Sequence, residues 1–392
     1  MSLNKAAAIL EDQALAFPEV RKSDRRAPII AEIPLLRAIG IIGVVLIHVA
    51  AGFLQVSSYV DAPGYIIYSF INQAARYAVP LFIFVSGFTL FYNYPRWEGF
   101  PIREYFQKRL GRILVPYIVW SIIYYIVTLY ITLPQGEKIL ASALLVTFGK
   151  NLLLGSSFYH LYFFLLIIQF YVLFPAFLFL WSRKPSHLKL WCAVCFAVQI
   201  LLSIYVNYLY DTSQSGFLNG LAEHQHRFFP FFIAYFVLGA YLATRLDDLR
   251  KASRYLSLSL VVSALAAIAL TAEFVYFVVI RRLPLNALAV ADTRPGIVIY
   301  ALILILSLYW LSIKVNECAG WPAQTLARLG DRAYGIYLIH PFYLLLARFL
   351  LDRMPLQLPH IIQGVILFVV VTYLSYVSTA ILGRAKITRS VV

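Results

Sequence analysis

The sequence predicts an all-α integral membrane protein, with about ten transmembrane helices around a polar central cavity and both termini in the cytoplasm. Three observations predict it. Hydrophobic residues fill 61% of the 392 positions and charged residues only 13%, about half the share usual in a soluble domain. Apolar runs long enough to cross about 30 Å of hydrocarbon follow one another with short loops between them. Ionisable residues recur inside several of those runs, where a charge costs about 2.5–3.5 kcal/mol and ordinarily faces a protein interior or a watery path.

The runs lie at 33–53, 66–92, 111–132, 159–181, 188–209, 229–244, 255–279, 296–313, 334–351 and 361–383. The sixth is short. Residues 139–155, "ILASALLVTFGKNLLLG", are too few and too polar to span and read as an interfacial or re-entrant helix. Loop charge supports the order, because lysine and arginine concentrate in cytoplasmic loops. Basic residues cluster in the N-terminal tail (Arg21, Lys22, Arg25, Arg26), in "RWEGFPIREYFQKRLGR", "SRKPSHLK" and "TRLDDLRKASR", before "RLGDRAYG", and at Arg384, Lys386 and Arg389. The alternate loops are poor in them: "QVSSYVDAPG" has none and 210–228 has only Arg227, while the loop with Arg281, Arg282 and Arg294 fits least well.

This alternation gives a cytoplasmic N-terminal tail over 1–30, a single membrane domain over 31–384 and a cytoplasmic C-terminal tail over 385–392. The first thirty residues lack the basic start, apolar middle and small-residue cleavage site of a secretory signal. The formal charge of +15 is assigned to cytoplasmic loops meeting anionic membrane lipids rather than to nucleic acid. Cys192, Cys195 and Cys318 suggest no disulfide framework, and the "CAVC" pair in an apolar run reads as packing.

The first run holds "RAIGIIGVVLIHVAAGF", in which Arg37 and His48 are eleven residues apart. On a helix that is three turns plus roughly 20°, or about 16 Å along one face. Arg37 then lies near the inner surface and His48 well across toward the outside, both looking into one space. Histidine is the usual general base near neutral pH, so His48 is the candidate for proton chemistry.

The second run, "NQAARYAVPLFIFVSGFTLFY", places Arg76 in mid-membrane, where it needs an acceptor such as a backbone carbonyl, an anionic substrate group or the carboxylate of Glu273 in the seventh run. Pro80 and Gly87 bend the helix or admit a neighbour, and Ser86 and Gly87 read first as close-packing residues. Arg109 and Arg112, three apart at the cytoplasmic edge of the third run, share a face. They serve either topology or an anionic site, since guanidinium groups fork onto phosphate oxygens. His160 opens the fourth run at the outer mouth, and "LGDRAYGIYLIHPFY" sets Tyr334, Tyr337 and His340 along the ninth. No carboxylate or cysteine completes a ligand set around these histidines, so no metal is expected. "EHQHR" at 223–227 reads as a solvated outer loop contacting substrate.

Taken together, these motifs resemble the acyltransferase-3 family of bacterial integral membrane acyltransferases, and within it the surface-polysaccharide O-acyltransferases. The likeness covers nearly the whole chain. It rests on Arg37 and His48 with ten residues between them, "VPLFIFVSGF", Arg109 and Arg112 in an R-x-x-R, "HLYF" at the fourth run, and "YGIYLIHP". The extracellular hydrolase-like domain that some members append is not expected here, which puts acceptors needing a second transfer domain in doubt.

The resemblance implies acyl-coenzyme A, most often acetyl-CoA, as donor and a hydroxyl of a surface polysaccharide or lipid-linked glycan as acceptor, at the bacterial cytoplasmic membrane. It further implies that Arg109 and Arg112 hold the donor's phosphates and that the pantetheine arm runs past Arg37. His48 then acts as general base or acyl carrier, and Arg76 or Arg37 stabilises the oxyanion. Arg76, Ser86, His160, Glu273, Tyr337 and His340 line the substrate cavity in this reading. A glycan exporter or proton-coupled transporter would also use buried arginines and histidines, but an arginine and histidine on one helix beside a phosphate-type site favour group transfer.

Overall fold

The computed structural model describes residues 30–55, 63–132, 141–210, 217–281, 292–318, 320–353 and 358–384. Both terminal tails, most of the "QVSSYVDAPG" loop and Arg282 lie outside them. Every regular element among the described residues is helical: α1 Glu32–Leu54, α2 Pro63–Ala74, α3 Ala78–Asn93, α4 Ile102–Thr132, α5 Ala141–Leu154, α6 Tyr162–Arg183, α7 Leu188–Ile204, α8 Phe217–Glu223, α9 Ile233–Ala243, α10 Leu246–Lys251, α11 Leu256–Val275, α12 Pro295–Glu317, α13 Trp321–Asp331, α14 Ala333–Leu351 and α15 His360–Leu382.

Nine helices among the described residues are long and apolar enough to cross a bilayer, where the sequence predicts about ten. Two are composite: α2 and α3 join into Gly64–Asn93, and α10 and α11 into Leu246–Ile280. The difference lies at the sixth run. Its helix, α9, has only 11 residues, about 16 Å at 1.5 Å per residue and half the hydrocarbon thickness. The 139–155 segment forms α5, which has no buried residue, as an interfacial helix would.

Helix α1 is apolar apart from Glu32, Arg37 and His48 and is buried along most of its length, with α2–α3 and α12 beside it; a helix so largely apolar belongs inside a bundle. In contrast, α7 and α15 turn most of their surface outward. Pro80 explains the break between α2 and α3. It is the third residue of α3, and its ring would meet the carbonyl four residues back, at Arg76. The chain answers with a 3₁₀ turn over Ala75–Tyr77, which carries Arg76 at the interruption.

Glycines set two contacts that shape the interior. A Cβ on Gly87 would come within 2.1 Å of the Phe236 carbonyl oxygen, and one on Gly239 within 2.3 Å of the Phe84 oxygen. Helices α3 and α9 therefore pack backbone to backbone, the close approach that small residues permit in membranes. Likewise a Cβ on Gly330 would lie 1.8 Å from the Pro34 oxygen. That contact seats the end of α13 against the first turn of α1, one turn before Arg37.

Candidate functional site

A cavity of about 310 Å³ lies among α1, α3, α4, α6, α13 and α14. Arg37 comes from α1, Arg109 and Arg112 from α4, and all three line it. Arg112 is exposed, while Arg109 and Arg37 are half-buried. None of the three guanidinium groups is ion-paired among the described residues. Tyr171 stands under Arg109, with its ring centroid 5.7 Å from the guanidinium carbon, a spacing at which cation and ring attract. Asp331 also lines the cavity and acts on Arg37 through space.

Ser86 and Thr89 of α3 face the same cavity. Ser86 Oγ donates to the Phe82 carbonyl at 2.8 Å, so its proton is already engaged within the helix. The two small neighbours thus divide their work, with Ser86 on the cavity wall and Gly87 against α9.

Tyr337 of α14 closes the other end. It lines the cavity, its hydroxyl donates to the His160 carbonyl, and its ring lies 5.3 Å from that of His160 and 5.9 Å from that of His340. His48 stacks on His340 with centroids 5.3 Å apart and also meets Tyr159 at 4.7 Å. His160 and His340 are 5.7 Å apart. Three imidazoles from α1, α14 and the turn before α6 therefore form one cluster. His48 itself is not on the cavity wall. Arg37 lines the cavity and His48 does not, while Tyr337 touches both the cavity and the His340 ring on which His48 stacks.

Arg76 and Glu273 are not partners. Arg76 Nη1 meets Asp292 Oδ1 at 2.5 Å and Nη2 donates to Asn72 Oδ1 at 2.8 Å. Glu273 instead pairs with Arg294 at 3.2 Å, and Arg294 also donates to Gln73 Oε1 at 2.5 Å. Neither Arg76 nor Glu273 lines the cavity. Their separation has a simple cause: Asp292 and Arg294 stand at the entry to α12, so the segment before that helix supplies both a carboxylate and a guanidinium to bury. Of the loop's arginines, Arg294 is an interior ion-pair partner, Arg281 is exposed, and Arg282 lies outside the described residues.

"EHQHR" is likewise not a solvated loop. Gln225 is buried, and the His226 ring meets Tyr162 edge-on at 4.7 Å. Burial, and then the neighbouring Arg227, push the His226 imidazole down to about 4. Its neutral Nε2 accepts from Arg227 Nε at 3.2 Å.

The comparisons with known proteins meet this geometry over almost the whole chain. A family model described as an acyltransferase domain, acyltransferase-3, matches residues 30–380. The chain belongs to that family. It is 26% identical over 357 residues to the "Putative membrane-bound acyltransferase YfiQ" of Bacillus subtilis (strain 168), covering 88% of each chain. No solved structure matches it.

For an acyltransferase, the informative feature is that a cationic cavity and a histidine cluster share Tyr337 as a common wall. Asp292, Asp331, Tyr171 and Tyr159 complete these surroundings and were not singled out in the sequence. Asp331 carried a usable signal, since it sits inside "RLGDRAYG". Asp292 carried none, because it is 216 positions from Arg76 in a stretch that reads as loop.

Proposed function

We propose that this protein is a membrane O-acyltransferase, most simply an O-acetyltransferase, that moves an acyl group from cytoplasmic acyl-coenzyme A to a hydroxyl of a cell-surface glycan or glycolipid. One observation carries the reading: Arg37, Arg109 and Arg112, without an ion-paired carboxylate among the described residues, converge on a cavity that ends beside three histidines. Phosphate groups at the exposed Arg112 end match guanidinium chemistry. From there the thin pantetheine arm runs inward, bringing the thioester to Tyr337. His48 either deprotonates the acceptor hydroxyl or carries the acyl group. Arg37 is about 16 Å from His48 along α1, too far to touch the same carbonyl, so its part lies with the donor and not with the oxyanion.

Sidedness follows from loop charge. The arginine-lined end faces the cytoplasm, both termini are inside, with α9 and the 3₁₀ turn Phe229–Phe231 before it together making a tenth crossing, and the membrane is the bacterial cytoplasmic membrane. The test uses purified protein and inside-out vesicles. Acetyl-CoA is consumed from the bath and acylated product collects in the lumen, and a cysteine placed at Gln107 reacts only from the cytoplasmic side. Purified protein that neither binds nor consumes acetyl-CoA overturns the donor assignment, and product on the donor's own face overturns transmembrane delivery.

A further inference from the structure

His340 sits where a second catalytic histidine would. Its ring is fully buried on α14, and its Nδ1 lies 2.8 Å from the Tyr337 carbonyl oxygen and 3.1 Å from that of Ile336. Carbonyl oxygens only accept, so Nδ1 carries the proton and Nε2 is left with a lone pair. That Nε2 is buried and has no hydrogen-bond partner. Leaving such a buried group unsatisfied is unfavourable, and a ligand's hydroxyl would relieve it. His48 is different. It is half-buried and stacked face to face on His340, and among the described residues it meets its neighbours through ring contacts and not through a hydrogen bond. One imidazole is open and unengaged, while the other is locked with a single acceptor atom.

We propose that the two share the transfer, with His48 carrying the acyl group and His340 Nε2 taking the proton of the attacking hydroxyl. This rests on the acyl-coenzyme A reading above. In the first half, a His48 nitrogen bonds the acyl carbon, the carbon–sulfur bond breaks, and the His48 proton leaves with the thiolate as free thiol. In the second, the acceptor oxygen bonds the acyl carbon and the carbon–nitrogen bond breaks. The hydroxyl proton passes to His340 Nε2 and returns to the other His48 nitrogen, the one that gave its proton to the thiolate, so both rings end as they began. Tyr337 must give way for substrate to reach the sealed His340 nitrogen.

The division of labour is tested without the natural acceptor. The first half alone exchanges labelled coenzyme A into acetyl-CoA, and water in the acceptor's place gives acetyl-CoA hydrolysis. His340→Gln keeps exchange within about twofold of wild type and lowers hydrolysis by about 10²-fold or more, the usual worth of a general base. His48→Gln loses both. Equal loss of exchange and hydrolysis in His340→Gln, with acetyl-CoA binding intact, makes His340 structural and overturns the proposal, as does unchanged hydrolysis. His340→Asn provides a second variant should His340→Gln not fold. Wild-type protein that hydrolyses acetyl-CoA without exchange removes the acyl carrier but leaves the donor assignment standing, whereas absence of acetyl-CoA binding removes the proposed function itself.

Discussion

Arg37, Arg109 and Arg112 line a cavity with no ion-paired carboxylate among the described residues, whereas Arg76 and Arg294 each hold one, Asp292 and Glu273. The same side chain therefore does two jobs in one membrane domain. In the second region the cation is answered from within the protein, and the Arg76–Asp292 pair ties the entry of α12 to the break before α3. In the first region the protein offers only Asp331 acting on Arg37 through space and the Tyr171 ring under Arg109, so the guanidinium groups stay open to a ligand. A buried arginine is thus a weak indicator of a site, and its pairing is the stronger one. The histidines repeat the lesson, because His226 is satisfied by Arg227 while His340 keeps an unpartnered nitrogen.

The largest expected effect falls between the two regions, at His48. His48→Ala abolishes acyl transfer and leaves membrane insertion intact, since alanine inserts at least as well as histidine. Turnover of acetyl-CoA by equal amounts of purified protein measures it. Wild-type turnover in the variant would take His48 out of the chemistry and reduce the cluster to packing.

Asp292→Ala then probes the paired region. Removing one partner of a buried ion pair leaves the other charge uncompensated, at about 3–5 kcal/mol. The Arg76–Asp292 pair has side-chain exposures of 10% and 12%, so most of that penalty applies. The variant should unfold far more readily in detergent, and protein that survives should bind acetyl-CoA as wild type does. A loss of donor affinity at unchanged stability would erase the contrast between the regions. Arg109→Ala with Arg112→Ala should do the reverse. Each charge-assisted hydrogen bond is worth about 1.5–3 kcal/mol, so donor affinity falls by tenfold or more, most steeply at low salt, while stability holds. Equilibrium binding across a salt series reads this directly, and unchanged affinity would assign both residues to topology alone.

How much of this could be read in the sequence depended on distance along the chain. The apolar runs predicted the spans because each is a local property of about twenty residues, and α9 fell short because its neighbours Phe229–Phe231 turn as 3₁₀ helix instead of extending it. Arg37 and His48 were legible since one helix carries both, and Arg109 with Arg112 for the same reason. Asp292 was not, because pairing it with Arg76 requires knowing that the α12 entry folds back on the second span. Glu273 was the only acidic residue within a long apolar run near Arg76's depth, and that made it the natural partner to expect. The place of Tyr337 was equally hidden, since helical spacing gives a face and a depth but not which ring joins a cavity to its neighbours.

The smallest expected effect concerns two adjacent residues on α3 and separates wall from packing. Ser86 faces the cavity, and its hydroxyl proton is spent on the Phe82 carbonyl at 2.8 Å. Ser86→Ala removes that internal bond and one polar atom from the wall, so turnover should change by less than about threefold, within about 0.6 kcal/mol of barrier. Gly87→Ala, one position on, drives a Cβ to 2.1 Å from the Phe236 carbonyl oxygen. That position should cost at least the 1–3 kcal/mol typical of overpacking, read as lower thermal stability with donor affinity retained in the folded fraction. A Ser86→Ala variant that lost activity as completely as His48→Ala would instead make the Ser86 hydroxyl a participant, and the cavity, rather than the histidine cluster behind Tyr337, would then be where the acyl group changes hands.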